Sequence, residues 1–304
     1  MSQVLTIARP PGVRRVRLET ERGVFAALAA TPSGSAPSGS VPGGSAPGGS
    51  VPGGSAPGGS ALLVPGFNGS KEDFLPLLPG LSAAGYAVYA VDQRGQYETG
   101  AASAAPAYDS DSAAADARAL AEALGAGPVH LVGHSYGGLV SRLAVLNSPA
   151  PEVTWASLTL MNFGPAQVGT PTRERLELLL DALGSMAVPD LWPYLRPAED
   201  GIPADVLAFL SDRWARNEPE ALRLAARQLL TEPDRTTDLK GKGVPLSVVF
   251  GTPDDTWSEQ EAEAMAEALG APFTKIPEGG HSPNVQRPAA VIEALTGFWA
   301  SLAP

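Results

Sequence analysis

The sequence of 304 residues contains no cysteine, so disulfides, thiolate catalysis and cysteine-ligated metals are excluded. Histidine is scarce, with only three in the whole chain. No apolar run approaches the roughly 18 residues that a membrane-spanning helix needs. The amino-terminal stretch "MSQVLTIARPPGVRRVRL" also lacks the apolar core and cleavage site of a secretory signal. We therefore expect a cytoplasmic protein with no membrane span.

Positive charge is in the minority. The chain has 21 basic and 32 acidic residues, which gives a formal net charge of -11. This balance argues against a nucleic acid or an anionic membrane surface as the main partner. The sequence has no H-E-x-x-H motif and no histidine cluster, and its acidic residues are dispersed along predicted helices. We therefore predict neither a metal nor a cofactor, and the oligomeric state is left open.

A low-complexity tract lies near the amino terminus. The stretch "TPSGSAPSGS" at 31–40 is followed by two copies of "VPGGSAPGGS" at 41–60. Such a tract buries too little apolar surface to offset its ordering entropy. It could be a linker between domains, but the segment before it contains only "VRRVRLETE" and "GVFAALAA", a predicted hairpin too small for a core of its own. We interpret 33–60 as a flexible loop inside one domain.

From residue 61 onward, short apolar strands alternate with helical patterns. This alternation indicates an α/β fold with a mostly parallel sheet that is covered by helices on both faces. One segment breaks the alternation, since only helical patterns occur between Gly164 and about Lys242. The prediction is a core domain of 1–164 and 243–304, with a helical lid at 165–242.

The stretch Gly133-His134-Ser135-Tyr136-Gly137 fits the motif G-x-S-x-G between the strand "VHLV" and the helix "GLVSRLAVL". A serine on this sharp strand-to-helix turn needs small neighbours two residues away, and both are glycine. Ser135 is therefore the predicted nucleophile. The alternative is a glycine-rich turn whose serine caps the helix. A phosphate loop is disfavoured because the Gly-Lys-Ser/Thr ending is absent.

A serine nucleophile needs a base within hydrogen-bond reach, usually histidine. His130 lies inside the strand before the turn, where a packing or surface role is expected. His134 is held on the turn itself, so its ring is badly placed to reach Ser135. By elimination His281, in "EGGHSPNVQRP", is the predicted base. The alternative is an exposed loop histidine.

Four stretches together resemble the α/β-hydrolase superfamily, in its lidded esterase-like and lipase-like branch with a serine nucleophile. They are "GHSYGG", "VDQRG", "GTPDD" and "GGHSP", and the resemblance extends from about residue 14 to the end. It implies an eight-stranded, mostly parallel sheet whose first strands form an antiparallel hairpin. It also implies that nucleophile, acid and histidine follow in that order along the chain.

The resemblance further implies an oxyanion hole made of the backbone N–H groups of Phe67 and Tyr136. The sequence departs from the family pattern here, because Pro65-Gly66 stands where His-Gly is common. The implied acid is Asp254, with Asp255 as the alternative. Asp92 is expected to be structural and to pair locally with the backbone or with Arg94.

The predicted function is that of a serine hydrolase, which cleaves an ester, thioester or amide of a small, largely apolar substrate through an acyl-enzyme. Trp192, Tyr194 and Trp214 of the lid are candidate walls of the substrate pocket. Acyl transfer, C–C bond hydrolysis and cofactor-free perhydrolysis by the same three residues remain alternatives. A non-catalytic, ligand-binding use of the fold is the remaining alternative.

Overall fold

The computed structural model describes residues 4–32, 56–100, 108–125, 127–148, 155–196 and 201–302. In these ranges eight strands form one sheet: β1 (Arg14–Thr20), β2 (Gly23–Ala30), β3 (Ser60–Val64), β4 (Ala87–Val91), β5 (Val129–His134), β6 (Trp155–Met161), β7 (Leu246–Thr252) and β8 (Phe273–Pro277). Their order in the sheet is β1-β2-β4-β3-β5-β6-β7-β8. Strand β2 is antiparallel to β1 and β4, and the later pairs are parallel. The expected sheet is confirmed, including its amino-terminal hairpin.

Helices connect most of these strands. They are α1 (Leu78–Ala83), α2 (Ser110–Ala123), α3 (Tyr136–Leu146), α4 (Thr170–Leu183), α5 (Trp192–Leu195), α6 (Ala204–Ala215), α7 (Pro219–Thr231), α8 (Thr236–Lys240), α9 (Glu259–Leu269), α10 (Pro283–Gln286) and α11 (Pro288–Ser301). Short 3₁₀ helices lie at Lys71–Phe74 and Val188–Leu191. Across the described ranges, no helix combines the length and the apolar character that crossing a membrane requires.

Both faces of the sheet are covered, as β3 illustrates. Leu62 and Val64 belong to the apolar cluster that contains the buried residues of α2 and α3. Ala61 and Leu63 belong to the cluster on the other face, with α1 and α11. Because successive side chains of a strand point to opposite faces, a strand buried on both sides has no polar positions to alternate with. This burial explains the short, uninterrupted apolar runs of the sequence.

The helical segment between β6 and β7 packs over one end of the sheet. In α4 the side chains of Leu176, Leu179 and Leu183 are buried at spacings of three and four residues, which place them on one helix face. Leu179 and Leu183 share an apolar cluster with Trp214 of α6. In its described part this segment contains helices and no strand, as the sequence predicted, and its assignment as a separate lid at 165–242 stays a prediction.

Most of the low-complexity tract, at 33–55, lies outside the described residues. Its carboxyl end differs from the expected loop at 33–60. Ala56 is buried in the core, and β3 already begins at Ser60. A Cβ atom on Gly58 would lie 2.8 Å from the ring of Tyr86. Only a glycine therefore fits this close approach, and the last residues of the tract belong to the packed structure.

Candidate active site

Ser135 lies at the junction of β5 and α3. Its backbone has φ 52° and ψ -121°, in the positive-φ region that residues other than glycine rarely adopt. Strained residues of this kind are concentrated at functional sites, where the surrounding structure holds them in place. The Ser135 side chain lines a cavity together with His281, so the strained turn presents a hydroxyl group to that cavity.

The glycines of the motif are required by close backbone approach. A Cβ atom on Gly133 would overlap the carbonyl oxygen of Gly137. One on Gly137 would overlap the carbonyl oxygen of Val64, at the end of β3. The start of α3 therefore packs directly against two strands, which fixes the position of the serine at the carboxyl ends of the parallel strands.

Ser135, His281 and Asp254 form a continuous chain of hydrogen bonds. Nε2 of His281 lies 3.0 Å from Oγ of Ser135. Nδ1 of His281 lies 3.0 and 2.9 Å from the two carboxylate oxygens of Asp254. A carboxylate only accepts, so Nδ1 carries the proton that it donates, and Nε2 is left to accept from the serine hydroxyl. This tautomer is the one that a general base requires.

Asp254 has no exposed side-chain surface, and burial opposes its ionisation. Hydrogen bonds from His281, from Nδ2 of Asn162 at 2.9 Å and from the backbone N–H of Thr256 outweigh burial and lower the pKa of Asp254 below its usual value. The carboxylate therefore stays ionised and can stabilise a positive charge on the imidazole.

Asn162 is a supporting residue that the sequence reasoning missed. It follows β6 with φ 43°. Its Nδ2 also contacts the carbonyl oxygens of Gly251 and Gly280, and its Oδ1 accepts from the N–H of Gly251. One carboxamide thus joins the loops that carry Asp254 and His281. One signal in the sequence could have identified it, namely a polar residue at the end of the strand that follows the Ser135 turn, in "LTLMNF".

Asp255 faces away from the histidine. Its Oδ2 lies 2.8 Å from Nη2 of Arg175 in α4, and both side chains are more than half exposed. Adjacent residues of a turning chain point in different directions, so the two neighbouring carboxylates occupy separate environments. Of the two sequence alternatives, the structure brings only Asp254 into contact with His281.

The other two histidines are buried and neutral. Burial lowers the pKa of His134 to about 3, and its Nε2 donates to the carbonyl oxygen of His281 over 2.7 Å. Burial lowers the pKa of His130 to about 4, and its Nδ1 lies 2.8 Å from Oγ of Ser157. His134 therefore supports the loop of His281, while His130 packs in the sheet. Among the described residues, no three acidic or histidine side chains cluster closely enough to hold a metal ion.

The resemblance implies Phe67 and Tyr136 as the residues whose backbone N–H groups form the oxyanion hole. Tyr136 follows Ser135 directly, and Phe67 follows Gly66, where a Cβ atom would lie 3.1 Å from Cβ of Ser135. Within the described part of the chain, neither N–H donates to a protein acceptor. The two backbone donors that the resemblance implies for an oxyanion hole are thus not occupied by acceptors of the protein.

The cavity beside Ser135 has a volume of about 690 Å³. Its walls are mostly apolar side chains from the helical segment, among them Leu176, Leu179 and Met186. Pockets of about 300–1,000 Å³ accommodate drug-sized ligands. The arrangement therefore suits an apolar group placed next to the Ser135 hydroxyl.

The three aromatic candidates of the lid have different positions. Trp214 is buried and lines the cavity, and its Nε1 donates to the carbonyl oxygen of Val188. Tyr194 also lines the cavity and is 78% exposed, which places it at the rim. Trp192 does not line this cavity. It packs instead between the apolar clusters that contain Leu191 and Phe209.

Asp92 takes one of its two expected kinds of partner. It is buried and accepts from both the backbone N–H and Nζ of Lys71, each at 2.8 Å. Arg94 pairs with Asp116 instead. The reason is that the fully buried ammonium group of Lys71 needs a charged partner inside the protein. Asp92 is thus structural as expected, and it pairs with the backbone, through the N–H groups of Lys71 and Glu98, and not with the alternative partner Arg94.

Comparisons with known sequences agree with this architecture. Residues 61–294 match the family model described as "Alpha/beta hydrolase family". The chain is 30% identical over 248 residues to "Putative carbamate hydrolase RutD" of Variovorax paradoxus, an alignment that covers 79% of this chain and 91% of that protein.

Solved structures add similarity of fold. A thermophilic esterase from Thermogutta terrifontis superposes with a TM-score of 0.69 at 21% identity, covering 96% of this chain and 100% of that one. A bromoperoxidase from Bacillus anthracis gives a TM-score of 0.70 at 18% identity, covering 94% and 100%. At this level of identity the likeness concerns the fold alone.

Proposed function

Because the chain belongs to the alpha/beta hydrolase family, we propose that it is a serine hydrolase. Its substrate is a small, largely apolar carboxylic ester, or a related thioester or amide. One observation carries the proposal, namely the 3.0 Å contact between Ser135 Oγ and a histidine whose other ring nitrogen is held by Asp254. That sequence of contacts is what turns a weak serine hydroxyl into a nucleophile.

In the proposed first step, His281 Nε2 takes the proton of the Ser135 hydroxyl while Oγ attacks the substrate carbonyl carbon. The carbonyl oxygen becomes an oxyanion, which accepts hydrogen bonds from the N–H groups of Phe67 and Tyr136. The intermediate then expels the leaving group, which takes the proton from His281. An acyl group remains on Ser135 through an ester bond.

In the second step, His281 removes a proton from water, and the hydroxide attacks the acyl carbon. Collapse of the second intermediate releases the acid and returns the proton to Ser135 Oγ. Asp254 stays ionised in both steps, since its lowered pKa keeps it negative at neutral pH. It stabilises the imidazolium and does not itself take the proton.

The choice of an apolar substrate rests on the cavity walls. Leucines and methionine from the helical segment surround about 690 Å³ next to the nucleophile, and this segment acts as the lid in the proposal. Burying an apolar group there contributes about 25 cal/mol per Å² of surface. Carbamates belong in the same substrate panel, because a relative at 30% identity carries that activity in its name.

The test is labelling with a fluorophosphonate probe, which reacts with activated serines. The folded protein is expected to label once at Ser135, and Ser135→Ala is expected to remain unlabelled. Turnover of p-nitrophenyl esters of increasing acyl length, with a carbamate alongside, then defines the substrate class. An unlabelled wild-type protein, or Ser135→Ala with full esterase activity, would contradict the proposal.

A further inference from the structure

The orientation of one peptide group matters for the proposed reaction. The N–H of Phe67 and the carbonyl of Gly66 belong to the same peptide unit, which is planar and trans. In such a unit the N–H and C=O bonds point in opposite directions. Whatever holds the carbonyl oxygen of Gly66 therefore also aims the N–H of Phe67.

Gln96 holds that carbonyl. Its Nε2 donates to the oxygen of Gly66 over 2.9 Å, and the side chain is buried. At the other end of the carboxamide, Oε1 accepts from the backbone N–H of Gln93 over 3.2 Å. A backbone N–H can only donate and a carbonyl can only accept. The two contacts together therefore fix which end of the carboxamide faces Gly66.

The carbonyl of Gly66 has a second donor, the N–H of Gly69 at 3.1 Å. This bond closes a turn within the loop, so it shapes the loop without tying it to the remainder of the site. Gln96 comes from a different part of the chain, the turn that follows β4. Its hydrogen bond connects the loop to that turn. Pro65, which precedes Gly66, has no side-chain donor that could do so.

The neighbouring peptide offers a natural comparison. Gln93 Nε2 donates to the carbonyl oxygen of Pro65 over 2.8 Å. The peptide it holds ends in the N–H of Gly66, which is not a donor in the proposed mechanism. Two glutamines thus hold two successive peptides of one loop, and only one of these peptides carries an oxyanion donor.

We propose that Gln96 is a positioning residue of the oxyanion hole, which aims the N–H of Phe67 at the reacting carbonyl oxygen by holding the Gly66 carbonyl. This role rests on the proposed function. The bond matters most when charge develops on the substrate oxygen, so its loss should reduce kcat and leave KM almost unchanged.

The test compares Gln96→Met with Gln93→Met, since methionine retains the length of the side chain and removes the N–H donor. Losing an entire oxyanion donor costs about 10²–10³ in kcat. A misaimed donor should cost less, and we expect kcat of Gln96→Met to fall by about 10- to 100-fold. KM should stay within about twofold of wild type. Gln93→Met should lower kcat by less than about threefold.

A second variant and a second readout complete the design. Gln96→Glu retains the shape of the side chain, but its carboxylate has no N–H to donate and repels the Gly66 carbonyl, so the same loss of kcat is expected. A boronic acid, which mimics the tetrahedral intermediate, should bind each Gln96 variant more weakly by the factor lost in kcat. Urea unfolding confirms that each variant is folded.

The outcomes separate the two hypotheses. If the wild-type protein does not label at Ser135 with a fluorophosphonate, both the proposed function and the role of Gln96 are overturned. If wild type labels and folded Gln96 variants label, turn over and bind boronate as wild type does, only the role of Gln96 is overturned. A rise in KM with unchanged kcat, or equal losses in the Gln93 and Gln96 variants, overturns it as well.

Discussion

Both carboxylate oxygens of Asp254 lie within 3.0 Å of one ring nitrogen of His281. The next residue in the chain, Asp255, has the same side chain and pairs with Arg175 at the surface. One residue of displacement along a turn therefore separates a buried carboxylate that orients the imidazole from an exposed one that does not touch it.

Asp254→Asn should reduce turnover by about 10³–10⁴-fold, because the amide cannot stabilise the imidazolium or favour the tautomer with a proton on Nδ1. The measurement is kcat on the best ester of the panel, with labelling of Ser135 as a second readout. If Asp254→Asn kept the kcat of wild type, Asp254 would have no role in the mechanism.

Asp255→Asn is the matched control, with the same chemical change one residue later. An ion pair between two side chains that are each more than half exposed contributes about 0–1 kcal/mol to stability. We expect kcat within about twofold of wild type. If Asp255→Asn lost turnover and Asp254→Asn kept it, the acid would move by one residue, and the roles of Ser135 and His281 would stand.

The elements of the sheet and the turn that carries Ser135 could be predicted because their sequence signals are local. The strand β5, the strained serine and the helix α3 are adjacent in sequence, and the glycines that the turn requires lie two residues from Ser135. The choice of His281 needed only the scarcity of histidine. Neither prediction required knowledge of contacts between residues that are distant in sequence.

The supporting residues could not be predicted because their partners are distant in sequence. Asn162 lies 92 residues from Asp254, and the side chains of Lys71 and Asp92 meet across 21 residues. No period or motif encodes which buried polar groups meet, since that depends on how whole elements pack. Trp192 shows the same limit for apolar residues, because a lid tryptophan can face a cavity or pack between clusters.

A buried ion pair connects the helical segment to the core. Arg213 Nη1 of α6 lies 2.7 Å from Oδ1 of Asp73, and both side chains are almost fully buried. Arg213→Met leaves a buried carboxylate without this partner, which should lower the free energy of unfolding by about 3–5 kcal/mol. Urea unfolding measures the change.

Arg216→Met on the same helix is the control for that variant. Arg216 pairs with Asp212 at 2.8 Å, but both side chains are about half exposed. Its loss should cost less than about 1 kcal/mol. Adding Asp73→Asn to Arg213→Met should restore part of the stability, because the uncompensated charge is then gone. Equal, small losses in the two single variants would show that burial of the pair has no energetic consequence.

The buried His130 should lower the free energy of unfolding at acidic pH. Burial lowers its pKa to about 4, against about 6.5 in the unfolded chain. Between these values the unfolded state binds more protons than the folded state. The contribution of His130 to the free energy of unfolding is therefore fully present above about pH 6.5 and is lost as the pH drops toward 4. At pH 5 this one group should cost about 2 kcal/mol relative to pH 7.

His130→Gln tests this dependence, because glutamine retains a polar group for Ser157 and does not titrate. The variant loses the stacking of the ring on Trp299, so it should be less stable at every pH. The prediction concerns only the pH dependence of the free energy of unfolding. Between pH 7 and pH 5 the variant should lose about 2 kcal/mol less than wild type. Parallel curves of unfolding free energy for the two proteins would exclude a buried, neutral His130.

The length of the apolar group that the cavity accepts should depend on Leu179, which faces the cavity from α4. Leu179→Trp fills part of the volume, so kcat/KM on a p-nitrophenyl decanoate should fall by at least about tenfold. On the acetate it should change by less than about threefold, because a two-carbon acyl group does not reach the added ring. Glu174→Trp, at an exposed position of the same helix that does not line the cavity, should affect both esters less. Equal losses on acetate and decanoate in Leu179→Trp would mean that the apolar cavity does not hold the acyl chain, and the leaving group would then be its occupant.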